Sequence, residues 1–198
     1  MSTVPKARSG RGVRPLRFTK DEYYRMAEIG LFHGRRVELI EGRLMVLSPQ
    51  QPPHASTVHR VARALARLLE PVLVVRAQLP LDLGAASEPE PDVAAVPGPE
   101  QQYHFAHPTT AALVVEVSDT TLAYDRGPKA SLYARSGIGD YWIVNIAEAQ
   151  LEVHRDPVPD AAQPHGHRYA TRAVLRRGEA VAPLALPGAT LPVAELLG

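Results

Sequence analysis

Apolar residues along the chain follow two periods, and the switches between them outline the elements. Thr19 followed three residues later by Glu22 spells a capping box, predicting a first helix through Tyr23, Met26 and Ala27 that Gly30 or Gly34 stops. Apolar runs at 37–40 and 44–47 flank Glu41, Gly42 and Arg43, which predicts a hairpin whose glycine takes the positive φ of a tight turn. After a proline-rich loop at 48–53, Val58, Val61, Ala62, Leu65, Leu68 and Leu69 recur at helical spacing until Pro71 forbids continuation. Strands are predicted at 72–79 and 92–96, and the apolar run 111–117 reads as the central one. A helix over 125–136 carries Pro128 in its first turn and Gly137 at its far end. The run 141–146 then re-enters the sheet, 151–154 and 169–175 complete it at an edge, and 156–167 reads as an exposed loop between them. From Val181 onward prolines dominate. With no repeat of solenoid length, this order predicts an α/β fold: a mixed β-sheet flanked by helices.

Composition narrows the picture. The 198 residues suit one domain over 18–198, preceded by a basic tail at 1–17 that holds Lys6, Arg8, Arg11, Arg14 and Arg17 and no acid. The net charge is +1, so any preference for a polyanion must come from local patches; the tail with Arg35, Arg36 and Arg43 is the visible one. There is no cysteine, which excludes disulfide scaffolds, thiolate zinc sites and cysteine nucleophiles. No apolar stretch approaches a membrane span and no secretory signal opens the chain, so the expectation is a cytoplasmic protein without membrane association.

The candidate chemistry lies in three residues. Glu116 interrupts Ala111-Ala112-Leu113-Val114-Val115, a run of the kind buried on both faces of a sheet, and an ionised carboxylate there must be paired, hydrogen-bonded or bound to a metal. Against this stands the plainer reading of a strand-end acid emerging into solvent beside Asp119. Asp92 opens the preceding strand after Pro91, and two acids on neighbouring strands can converge on a hard cation such as Mg²⁺. Lys129, thirteen residues beyond Glu116, can swing its long stem back toward the same sheet end, although most helical lysines are simply solvated.

Taken together, the motifs Glu38-Leu39-Ile40-Glu41-Gly42, Ser48-Pro49 followed by His54, Pro91-Asp92, Glu116-Val117-Ser118, then Asp125, Lys129, Tyr133 and Tyr141-Trp142-Ile143-Val144 resemble the Uma-two family of proposed endonucleases. That family belongs to the PD-(D/E)xK nuclease superfamily, and the resemblance spans residues 19–155. It implies a restriction-endonuclease-like fold and Mg²⁺-dependent hydrolysis of phosphodiesters in nucleic acid, with DNA as the expected partner and Mn²⁺ as a substitute metal. Asp92 and Glu116 match the metal-binding acids, Glu38 the acid of the N-terminal region, and Lys129 a lysine moved to the following helix. The usual lysine position, two residues after the second acid, holds Ser118, which carries no charge. Asp125 and Tyr133 match recurrent positions and are expected to be structural, as a helix-start acceptor and as packing.

No histidine pair has the four-residue helical spacing of a zincin, which disfavours a zinc hydrolase; His54 either lines the site mouth or caps the second helix. Two rivals remain at this point: a catalytically inactive nuclease-fold module that binds nucleic acid or a protein partner, and a glycosidase using Asp92 and Glu116 as its carboxylate pair. A homodimer would suit cutting both strands.

Overall fold

The computed structural model describes residues 13–198. Most of the basic tail, residues 1–12, lies outside the described residues, and 13–17 are exposed. Chain packing starts at Phe18, whose N–H donates to the Gly42 carbonyl. Helix α1 (Lys20–Glu28) begins with the predicted capping box at Thr19 and Glu22, and Gly30 adopts a φ of 77° just beyond its end. Strands β1 (Arg36–Ile40) and β2 (Arg43–Leu47) pair antiparallel, with Gly42 at φ 71° in their turn. A Cβ on Gly42 would meet the Phe18 carbonyl and the Arg17 side chain, so this glycine is needed for space as well as for φ.

Helix α2 (Pro52–Leu69) buries Val58, Val61, Leu65 and Leu69 of the predicted stripe together with Ala64, while Ala62 and Leu68 are partly buried. The main sheet runs β3 (Leu73–Ala77), β4 (Val93–Pro97), β5 (Leu113–Ser118), β6 (Asp140–Asn145), β7 (Gln150–Pro159) and β8 (His167–Leu175) in that spatial order. Only β5 and β6 are parallel, and their connection crosses over through α3 (Leu122–Tyr124), a π turn (Asp125–Lys129) and α4 (Ala130–Arg135). The alternating side chains of this sheet divide the core. Val93, Val115, Trp142 and Val153 pack with α2 and with α5 (Val193–Leu197), whereas Ala94, Val114, Tyr141 and Ile143 pack with Tyr133 of α4. Short strands β9 (Ala180–Val181) and β10 (Leu191–Pro192) carry the proline-rich end back against the first of these layers.

Three expectations are corrected. The helix read as 125–136 begins at Leu122, and Pro128 sits inside it rather than in its first turn. Proline has no N–H to donate, and the π turn accommodates it: the Ala130 N–H reaches five residues back to the Asp125 carbonyl. Much of the loop read as 156–167 is strand, with Pro157 opposite Tyr169 and Pro159 opposite His167. Pairing of β7 with β6 stops at Arg155, so both prolines lie where β7 has one neighbour, the setting in which strands tolerate proline. The strand read as 72–79 is shorter, because Gln78 turns left-handed at φ 55° and ends it.

Candidate functional site

Residues 93 and 115 face each other across the antiparallel β4–β5 pair, and the same register carried one step further sets Asp92 opposite Glu116. Both side chains project to the α4 side, the face already occupied by Ala94 and Val114. Strand β5 is buried at every position, Glu116 and Ser118 included. The two acids, with Glu38 from β1 and Lys129 from the π turn, line one pocket of about 270 Å³ at the sheet end, partly closed by the hairpin and the Ser-Pro loop after it. The structure thus brings all four sequence-predicted site residues together.

Lys129 is the hub. Its Nζ lies 2.9 Å from Glu116 Oε1 and 4.0 Å from Glu38 Oε1. Burial alone would lower its pKa, but the charges of Glu116, Glu38, Asp125 and Asp92 hold it well above the ordinary lysine value. Tyr133, one helical turn on, donates its hydroxyl to the same Glu116 Oε1 at 2.7 Å. The expected packing residue therefore also orients the carboxylate. Among the described residues no hydrogen bond ends on Glu116 Oε2, and Glu116 lines the pocket. Burial pushes the Glu116 carboxyl up to about 8 against the pull of Lys129.

Glu38 is fully buried; its Oε1 accepts the Glu90 N–H at 2.9 Å, while its Oε2 has no partner. Burial raises its pKa, opposed by Lys129. Asp92 behaves in the opposite way. Burial pulls its pKa upward, yet His54, Lys129 and the Val117 N–H outweigh it and leave the carboxyl below its ordinary value. Its Oδ2 accepts from Val117 N at 2.9 Å and lies 3.3 Å from His54 Nε2; its Oδ1 accepts from Gln78 Nε2 at 3.2 Å. The contact with Asp92 in turn raises the His54 pKa. His54 stands in the first turn of α2 and does not cap it, since that position is Gln51. Asp125 is not a helix cap either: it lies within the helical run and accepts the Thr121 hydroxyl at 2.6 Å.

Sequence reasoning missed Gln78, Glu90, Asp119 and Tyr124. Gln78 bonds to Asp92 from a left-handed residue at a strand end, Glu90 and Asp119 join the pocket from loops, and Tyr124 joins it from the short helix α3, where no periodic signal marks it. Arg36, read as part of a basic patch, is instead bonded to Glu90 at 2.9 Å.

The donors available to a cation are carboxylate oxygens, the set that suits Mg²⁺. Among the described residues no three His, Cys, Asp or Glu side chains form a ready-made metal cage. Mg²⁺ does not demand one, since it is usually held by one or two carboxylates and fills its other positions with water and phosphate. The unbonded Glu116 Oε2 and the unpartnered Glu38 Oε2 fit that requirement, and Asp92, whose two oxygens already accept hydrogen bonds, lines the same pocket. None of the described helices is long and apolar enough to cross a membrane.

No curated protein matches the chain significantly. Among solved structures it is similar to the crystal structure of "a putative nuclease belonging to DUF820" from Anabaena variabilis ATCC 29413, at a TM-score of 0.66 and 14% identity, covering 92% of this chain and 98% of that one. The likeness supports the α/β, restriction-endonuclease-like fold, a six-stranded mixed sheet flanked by helices. A family model, Uma2, described as "Putative restriction endonuclease", matches residues 21–194, and with nearly the whole described chain inside that match the protein belongs to the Uma2 family.

Proposed function

We propose that the protein is a Mg²⁺-dependent endonuclease that hydrolyses phosphodiester bonds in DNA. The observation that carries this reading is the pairing of Asp92 and Glu116 across adjacent strands, with the Lys129 ammonium held against Glu116 at 2.9 Å. Asp92 and the free oxygen of Glu116 would hold the cation, and Mn²⁺ would substitute for it. When bound, the cation supplies Lewis-acid polarisation of the phosphate and a more acidic water. Lys129, fully charged and rigidly placed, stabilises negative charge that develops on the phosphate oxygens. Glu38 Oε2, buried without a partner, is an acceptor for the water's hydrogen. Water adds its oxygen to phosphorus, the bond to the leaving oxygen breaks, and that oxygen ends protonated. Tyr133 keeps Glu116 in place.

Six carboxylates line the pocket, Glu38, Glu90, Asp92, Glu116, Asp119 and Asp125, against Arg36, Lys129 and a titratable His54. Such a surface repels a polyanion until a cation is present, which favours metal-dependent over metal-independent chemistry and weighs against the inactive module. It also weighs against a glycosidase, whose acid pair needs no lysine bound to one member. The test is cleavage of circular DNA, single-stranded and supercoiled, in Mn²⁺. The parent should open the circles and Asp92→Ala should not. Absence of metal-dependent cleavage of both circles by the parent would overturn the reading.

A further inference from the structure

The pocket has two unlike walls, and hydrolysis uses only one. The acidic wall carries the carboxylates and Lys129. The other is built by the hairpin, where the cross-strand pairs Glu38–Met45 and Arg36–Leu47 set Met45 and Leu47 on the pocket side, and it continues through Pro49 and Tyr124. At about 270 Å³ the pocket falls just under the roughly 300–1,000 Å³ of small-molecule sites, a size that suits one nucleotide-sized group.

Charge points the same way. Affinity for duplex DNA comes mainly from cations that neutralise phosphates. Here the lining has two permanently charged cations, Arg36 bound to Glu90 and Lys129 bound to Glu116, each at 2.9 Å; with Lys129 given to the reacting phosphate, no unengaged cation of the lining is left for the neighbouring phosphates of a duplex. A duplex offers its backbone and hides the faces of its bases, whereas an unpaired strand offers those faces to aromatic and apolar side chains. Tyr124 is half-buried, and among the described residues its hydroxyl makes no hydrogen bond. Burial pushes that hydroxyl up to about 12, so the ring stays neutral.

We infer that the wall of Tyr124, Met45 and Leu47 receives a nucleobase from an unpaired DNA strand, which delivers the phosphate beside that base to Asp92 and Glu116. The inference rests on the nuclease reading and narrows its substrate to single-stranded or locally opened DNA.

The test uses the full chain in Mn²⁺ with a single-stranded oligonucleotide and the same sequence as a duplex. The single strand should be cut at least tenfold faster. Tyr124→Ala should weaken use of the single strand roughly 10- to 100-fold, mainly in KM, as loss of one stacking contact does. Tyr124→Phe should keep the parent's behaviour, and Met45→Gln should share part of the defect. Equal or faster cutting of the duplex would overturn the inference and leave the nuclease reading standing. If the parent cuts nothing, the nuclease reading falls and the base site is judged by binding in Ca²⁺. There, quenching of a single strand carrying 2-aminopurine by the parent and by Tyr124→Phe, lost in Tyr124→Ala, supports it. No quenching, or equal quenching by all three proteins, overturns it.

Discussion

Glu116→Gln should stabilise the metal-free protein, and increasingly so as pH rises. Burial sets the Glu116 carboxyl from an ordinary 4.5 up to about 8. A group whose folded pKa lies above its unfolded one favours the folded state while protonated. Its contribution is complete below pH 4.5 and is lost as pH climbs through about 8. In that window stability falls by up to ~1.4 kcal/mol per pH unit, and the whole interval amounts to roughly 5 kcal/mol, a large share of the ~5–15 kcal/mol that holds a domain together. Glutamine keeps the shape and removes the titration. Glu38 is also raised by burial in both proteins, and its charge adds to the Glu116 shift, so the difference between them reports Glu116 together with that coupling. Asp92, lowered, has the opposite sign: its contribution is present above pH 3.8 and lost on acidification, outside the window.

The assay is urea unfolding in EDTA at pH 5, 6, 7 and 8. The parent should lose about 4 kcal/mol relative to Glu116→Gln between the ends of that series. Saturating Mg²⁺, which prefers the ionised carboxylate, should restore the parent most at pH 8. Parallel stability curves for the two proteins would refute the reasoning, because they would mean that Glu116 is not held away from water as the Lys129 and Tyr133 contacts require.

Three further outcomes follow from the same geometry. Lys129→Met should lower DNA cleavage by something like 10²- to 10³-fold in plasmid and single-strand assays, the cost of deleting one donor to the transition state, and equal cleavage would remove the lysine from catalysis. Asp92→Ala should abolish the rise in melting temperature that Mg²⁺ or Mn²⁺ gives the parent, and an undiminished rise in the variant would relocate the metal. Asp140→Ala should cost ~2–3 kcal/mol in urea unfolding, because buried Asp140 accepts from Trp142 Nε1, Arg155 Nε and the Leu184 N–H at 2.8–2.9 Å. Its specific cleavage rate should match the parent's, and a matching loss of rate would show that this end of β6 supports the site.

The acids were legible for a physical reason. A charge inside a fully apolar strand is a conflict that only a partner can resolve, and Glu116 announces it in the letters around it. Asp92 was legible through Pro91 and the strand that follows, and the register then sets it opposite Glu116. What stayed hidden depends on backbone that sequence periodicity does not encode. Gln78 contacts Asp92 through a left-handed residue at a strand end, Glu90 reaches the pocket from a loop, and Tyr124 reaches it from the three-residue helix α3. The helix start was misplaced because Pro128 ordinarily marks a first turn, whereas here the π turn absorbs it. Residues 156–167, expected as an exposed loop, hold Pro157 and Pro159 in a strand with a single neighbour there, the setting that tolerates proline.

The exchange of lysine between strand and helix follows from the same layer geometry. Residues two apart on a strand share a face, so a lysine at position 118 would enter the same space between sheet and helix that Glu116 faces. That space has two walls, and an ammonium can be delivered from either. Here the strand wall offers the small Ser118, buried without charge, and the helix wall offers Lys129 one turn before Tyr133. A residue i and its neighbour at i+4 lie on the same helical face. Lys129 and Tyr133 therefore come down together on a single oxygen, Glu116 Oε1, leaving the other without a hydrogen bond among the described residues. The helical placement thus fixes which carboxylate oxygen is neutralised inside and which is left for a cation, and it does so with two side chains on a rigid element rather than one on a strand end.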